Sequence, residues 1–222
     1  MVLNKEQRVG IFIDVQNLYH SAKNLFGSRI NYKKLVEELT AGRRLVRATG
    51  YVVKTDTTEG ESSFFEALEK SGVELRVKDI QIFQSGAKKA DWDVGMAVDA
   101  IRAANSFDCI VLVTGDGDFI PLVEYLRHGL GKTVEVAAFS RSTSGKLKES
   151  ADRFIMLEDT TGMLITSPKA REQRARKNAD EAGTKTEAAA PSAPRRAAPV
   201  APRNASRPRT APKVPNGGVN DF

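Results

Sequence analysis

The sequence has one cysteine, one tryptophan and two histidines, and a single proline before residue 168. The lone thiol, Cys109, excludes a disulfide framework and a thiolate zinc cage, and agrees with a reducing compartment. Inside an apolar run it reads as a small buried hydrophobe. His20 and His128 stand apart on helix-like stretches and read as packing or solvent-facing groups. No segment approaches the ~18 uninterrupted apolar residues of a membrane span. The first apolar run, residues 9–13, stops at an aspartate and is shorter than the ~7–15 residues of a secretory core. A cytoplasmic protein without membrane contact is expected. A G-x-x-x-x-G-K-[ST] loop is also missing, so P-loop nucleotide hydrolysis is unsupported.

The 222 residues carry 34 Lys and Arg against 28 Asp and Glu, a formal +6. Residues 1–166 hold 22 basic and 23 acidic side chains, whereas residues 167–222 hold 12 and 5, so the excess belongs to the tail. The tail also holds eight of the nine prolines, and its large apolar residues are Val200, Val214, Val219 and Phe222. Such a composition cannot offset the ~1–2 kcal/mol per residue lost on ordering a backbone. The expected organisation is a folded domain over residues 1–162 and a disordered, basic Pro/Ala/Arg-rich tail over residues 163–222. Arg195, Arg196, Arg203, Arg207 and Arg209 make that tail either a cationic arm for RNA or a solubilising extension.

Before the tail, β-branched runs alternate with helix-like stretches. Strands are predicted over residues 9–13, 45–53, 73–77, 109–113, 134–139 and 154–157. Helices are predicted over 17–26, 32–39, 61–71, 91–104, 119–128 and 144–150, with Gly129 closing the fifth as a C-cap. Runs such as I-V-L-V are apolar throughout, as in strands covered on both faces. The fold class is α/β, a sandwich around a mainly parallel sheet of about five to six strands.

Two strands run into carboxylates, and the carboxyl ends of parallel strands are where open sheets place their working sites. G-I-F-I-D ends at Asp14, and I-V-L-V-T-G-D-G-D-F at Asp116 and Asp118. Asp116 alone reads equally as a turn residue or helix N-cap. Two aspartates one glycine apart repel, and a divalent cation is the usual remedy. An EF-hand is excluded, because Phe, Ile and Pro follow where oxygen ligands belong.

A third acidic pair, Asp91 and Asp93, opens K-K-A-D-W-D-V-G-M-A-V-D-A-I. At ~100° per residue, Val94, Ala97, Val98, Ile101 and Ala104 form the expected buried stripe, with Asp99 almost opposite it. These acids also suit a helix N-terminus, and Lys88 and Lys89 beside Asp93 favour a site.

The blocks F-I-D-V-Q-N-L, K-K-A-D-W-D-V-G-M-A-V-D and T-G-D-G-D-F-I-P-L, in this order, resemble the NYN domain in its bacterial LabA-like branch, a relative of PIN-domain nucleases. The resemblance extends over residues 9–157 and includes the S-x-x-L-x-x-x-A-D-x-F pattern from Ser144 to Phe154. It implies a PIN-like three-layer sandwich whose strand-end carboxylates hold Mg²⁺ or Mn²⁺ and cleave RNA. By position, Asp14, Asp93, Asp116 and Asp118 match the acidic metal-site residues and Asn17 the polar residue after the first strand. Asp99 matches a recurrent acid further along the helix. D-W-D stands where many relatives have one aspartate, leaving open whether Asp91 or Asp93 points inward, so Asp91 and Asp99 are further metal candidates.

The chemistry suits these residue types. Phosphodiester hydrolysis needs an activated water and stabilised charge on the phosphate, which one or two hard cations supply. An all-aspartate cluster suits magnesium, which keeps waters for a substrate to displace. Thr114 could orient a carboxylate or a metal-bound water, Asn17 and Thr114 are candidate substrate contacts, and Lys88 and Lys89 would meet phosphates. Tyr19 and Trp92 are candidates for stacking on bases, with core packing an equal reading for Trp92. Arg43, Arg44 and Arg47 form either a phosphate track or a solvated edge. The expected function is RNA hydrolysis, with a non-catalytic RNA-binding regulator as the alternative; a homo-oligomer is left open.

Overall fold

The computed structural model describes residues 4–54, 59–82, 88–89 and 91–166. In chain order they form β1 (Arg8–Asp14), α1 (Val15–Phe26), β2 (Ser28–Ile30), α2 (Tyr32–Thr40), β3 (Arg44–Lys54), α3 (Glu59–Lys70), β4 (Glu74–Asp79), β5 (Gln81–Ile82), β6 (Lys88–Lys89) and α4 (Asp93–Ala103). They continue with β7 (Cys109–Val113), α5 (Ile120–Glu124), β8 (Thr133–Ala138), α6 (Gly145–Ser150), β9 (Arg153–Met156) and β10 (Leu164–Thr166). The six predicted strands form one sheet in the order β4-β3-β1-β7-β8-β9, with every pairing parallel.

Alternation along β1 separates two cores. Val9, Ile11 and Ile13 pack with α1 and α2 on one face, while Phe12 packs with Met96 of α4, Leu122 of α5 and Leu147 of α6 on the other. The result is a three-layer α/β sandwich. The chain starts in the middle of the sheet, builds β3 and β4 to one side, then crosses to β7, β8 and β9. The strand order therefore reverses between β1 and β7, where a doubly wound sheet opens a crevice.

Local chemistry sets the boundaries. Asp14 ends β1 and is itself the N-cap of α1, its side chain accepting from the Asn17 N–H at 3.0 Å, so the helix begins two residues earlier than predicted. Gly27 closes α1 with φ 59°. The fifth helix departs further from expectation. It runs Ile120–Glu124 and then widens into a π-helical turn over Tyr125–Gly129. The extra residue in that turn moves the left-handed position from Gly129 to Gly131, at φ 62°.

Two short pairings were not legible in the periodicity. β2 pairs antiparallel with β10, carrying the fold through Thr166, and β5 pairs with β6 in a hairpin. The rest of the tail, residues 167–222, lies outside the described residues, as does the predicted disorder there. No described helix is long and apolar enough to cross a membrane.

The buried stripe of α4 is not the one predicted. Val94 is 74% exposed and Val98 and Ile101 are exposed as well, while Met96 and Ala100 are the buried residues. The expected wheel was centred on β-branched residues and left out Met96, the largest side chain that this helix buries. Centred on Met96, Ala100 and Ala104, the same ~100° step puts Asp93 on the inner face.

Candidate active site at the carboxyl ends of the central strands

β1 and β7 are hydrogen-bonded neighbours, Ile13 opposite Val113, so the next residues of each strand meet at one edge. Thr114, 1% exposed, donates its hydroxyl to Asp14 Oδ2 at 3.4 Å and accepts from the Asp116 N–H at 3.2 Å. Asn17 Oδ1 accepts from the Gly115 N–H at 3.0 Å. Asn17 and Thr114, expected at the substrate, thus hold the start of α1 to the loop after β7 and fix where Asp14 and Asp116 stand.

Gly115 permits this loop to lie against its neighbour. A Cβ at this position would sit 2.8 Å from the Ser142 carbonyl oxygen, and Ser144 N–H donates to the Gly115 carbonyl at 3.2 Å. The segment after β8 therefore buttresses the site, a role whose only sequence signal was the serine opening the S-x-x-L pattern.

Burial pushes the Asp14 carboxyl up to about 6, and the negative charges of Asp93 and Asp116 push in the same direction; the Asn17 N–H and the Thr114 hydroxyl oppose them. The charged groups that act most strongly on Asp14 are thus acids, Asp93 of α4 and Asp116 of the loop after β7. Asp93 faces the cluster from the first turn of α4, whereas Asp91 is exposed and precedes the helix, its backbone carbonyl accepting from Lys78 Nζ at 3.1 Å. Asp116 also keeps the role of a cap, accepting from the Asp118 N–H at 3.0 Å.

The other candidates are distributed more widely. Asp118 is exposed and is not among the groups acting on Asp14. Asp99 accepts from the Tyr51 hydroxyl at 3.2 Å and lies 3.6 Å from Arg76. It lines a polar pocket of about 300 Å³ with Arg47, Arg76 and Arg102. Lys88 and Lys89 form the returning strand of the β5–β6 hairpin. Arg43 is no part of a phosphate track: it is buried against Glu135, and Arg47 pairs with Glu74 at 3.3 Å. Trp92 packs edge-on to Tyr51 and donates its indole N–H to the Val52 carbonyl at 2.8 Å, anchoring the start of α4. Tyr19 is 37% exposed. Burial pushes the Cys109 thiol up to about 12, as suits an inert core residue.

This architecture, a parallel sheet with aspartates gathered where its strand order reverses, defines a class of acid-centred α/β domains. The NYN domain profile matches residues 8–158. The chain belongs to the NYN domain family, a PIN-like nuclease family of the LabA-like kind. It is 27% identical over 171 residues to the low amplitude and bright protein LabA of Synechococcus elongatus, an alignment covering 72% of this chain and 89% of LabA. It is similar to the crystal structure of a Vibrio parahaemolyticus protein of unknown function, at 31% identity and a TM-score of 0.67 over 74% of this chain and 100% of that one.

Proposed function

We propose that the protein is a metal-dependent ribonuclease that hydrolyses RNA phosphodiester bonds at Asp14, Asp93 and Asp116. The observation that carries this reading is that Asp93 and Asp116 are the charges acting most strongly on the buried Asp14, at the β1–β7 crevice. Without a cation, this cluster of carboxylates would repel a phosphate. The donor set is all oxygen, which suits Mg²⁺ or Mn²⁺. When bound, the ion would activate a water and offset charge on the phosphate.

The chain's own residues have definite tasks. Asp14, Asp93 and Asp116 would hold the ion, with Asp118 reachable at the rim. Thr114 and Asn17 fix the carboxylates through the bonds described above. Lys88, Lys89 and the arginines of the tail would meet backbone phosphates.

A non-catalytic RNA-binding role is the second reading, and one observation favours it. Among the described residues, no group of three or more acidic, histidine or cysteine side chains is placed to hold a metal ion. Magnesium retains several waters and can be held by one or two carboxylates, so the catalytic reading stands first. The test is incubation of the full chain with single-stranded and structured RNA in Mg²⁺, Mn²⁺ or EDTA, beside Asp116→Asn. Cleavage that requires the metal and is lost in the variant supports the enzyme. Binding without cleavage in every metal overturns it in favour of the regulator.

A further inference from the structure

A second cavity lies beside the carboxylates, on the α1 face of the sheet. Its volume is about 500 Å³, within the ~300–1,000 Å³ of pockets that take small molecules. Val15 and Gln16, which line it, directly follow Asp14. Val52 and Val53, on its floor, directly follow Tyr51, the register partner of Asp14 on β3. The cavity therefore opens at the same sheet edge as the acid cluster.

Its walls are aromatic. Tyr19 and Phe64 face each other with ring centroids 6.3 Å apart and planes inclined by 57°, and Phe65 adds a third ring. The rim carries Gln16, His20 and Arg29, which between them can donate and accept hydrogen bonds in several directions. Behind the wall, Tyr32 packs edge-on to Phe64 at 5.8 Å. Tyr32 is 7% exposed, and its hydroxyl has no hydrogen-bond partner among the described residues. Tyr32 thus backs the aromatic wall from within the core.

Flat aromatic faces with mixed donors and acceptors at the edge are what a splayed, unstacked nucleobase needs. We propose that this pocket receives one base of the RNA whose backbone crosses the carboxylates, with Tyr19 stacking on it and Gln16 reading its edge. The inference rests on the RNA reading above and extends it, because it makes the enzyme selective for the nucleotide next to the scissile phosphate.

The test uses the four ribonucleosides, with ribose as the base-free control, bound to the full chain in EDTA and followed by amide chemical shifts. Without phosphate or metal, this measurement is independent of catalysis. Nucleosides are expected to bind at least about tenfold tighter than ribose, shifting Gln16, Tyr19 and Phe64. Tyr19→Ala should weaken them about tenfold, since one stacked face is lost. Gln16→Leu, which removes the amide and keeps the bulk, should change the ratio among the four nucleosides. Equal responses to nucleosides and ribose, or shifts confined to other surfaces, overturn the pocket. Metal-dependent RNA cleavage with a base preference unchanged in Tyr19→Ala and Gln16→Leu overturns it too, while leaving the nuclease reading intact. Nucleoside binding without cleavage in any metal does the reverse.

Discussion

Arg43 grips Glu135 with both prongs of its guanidinium, Nη1 to Oε1 at 3.1 Å and Nη2 to Oε2 at 2.9 Å, and both side chains are buried. The pair sits toward the amino ends of β3, β7 and β8, opposite the sheet edge that carries Asp14 and Asp116. Arg43 also donates to the Leu39 carbonyl at 2.8 Å and to Cys109 Sγ at 3.3 Å, so one residue ties α2 to three strands. Deleting one partner strands the other charge in the core. Glu135→Gln or Arg43→Met should each cost about 3–5 kcal/mol in urea unfolding, and a joint Arg43→Met, Glu135→Leu exchange should cost much less than their sum. Additive losses would mean that the pair is not coupled.

At the opposite edge the electrostatics run the other way. The Asp14 carboxyl is raised from the ordinary 3.8 to about 6, first by burial and then by Asp93 and Asp116. Between those values the folded protein keeps a proton that the unfolded chain has released. This group's contribution therefore falls as pH rises from about 4 to about 6 and stays low above that. Asp14→Asn removes the penalty, and asparagine still caps α1. In EDTA at pH 8 the variant should be more stable than wild type by about 3 kcal/mol, and the difference should vanish below about pH 4. Added Mn²⁺ should stabilise wild type alone. A variant less stable than wild type at pH 8 in EDTA would refute the repulsion.

Asp91 and Asp93 are two residues apart and should behave differently. Asp93 lies on the inner face of α4 with Met96 and Ala100, and its charge reaches Asp14. Asp91 precedes the helix and is exposed. Asp93→Asn is expected to lower metal-dependent RNA cleavage about 100-fold or more. Asp91→Asn should change kcat/KM less than about threefold, with both variants folded by circular dichroism. The opposite ranking would transfer the site to Asp91.

What the sequence made legible follows from the kind of signal each feature leaves. The cores of β1 and β7 are uninterrupted apolar runs and could be read directly, and the other sheet strands are short runs rich in β-branched or aliphatic residues. Asp14 and Asp116 end such runs and were visible for that reason. The inner face of α4 was not, because its buried residues are small apart from Met96, while its bulkiest aliphatics, Val94, Val98 and Ile101, face outward. A wheel that weighs aliphatic size selects the wrong side. Asp99 therefore looked solvent-facing, although it meets Tyr51 and Arg76 across the sheet. Arg43 looked like surface charge because its partner, Glu135, is 92 residues away along the chain. The cavity between α1 and α3 was equally hidden, since Tyr19, Tyr32 and Phe64 belong to three helices that only the fold brings together.

If the tail serves recruitment and not the cluster of carboxylates, its five outlying arginines allow the two to be separated. Replacing Arg195, Arg196, Arg203, Arg207 and Arg209 with Gln in the full chain leaves every residue of the β1–β7 crevice in place. If these arginines meet RNA phosphates, each lost contact flattens the dependence of log K on log salt by about 0.7 for single strands. The complete set should flatten it by up to about 3.5. Because contacts away from the carboxylates raise encounter without touching the reacting atoms, KM for long RNA should rise at low salt while kcat stays within about twofold. A fall in kcat with an unchanged salt slope would place these arginines at the reacting phosphate, and the near-neutral composition of residues 1–166 would then no longer describe the whole active site.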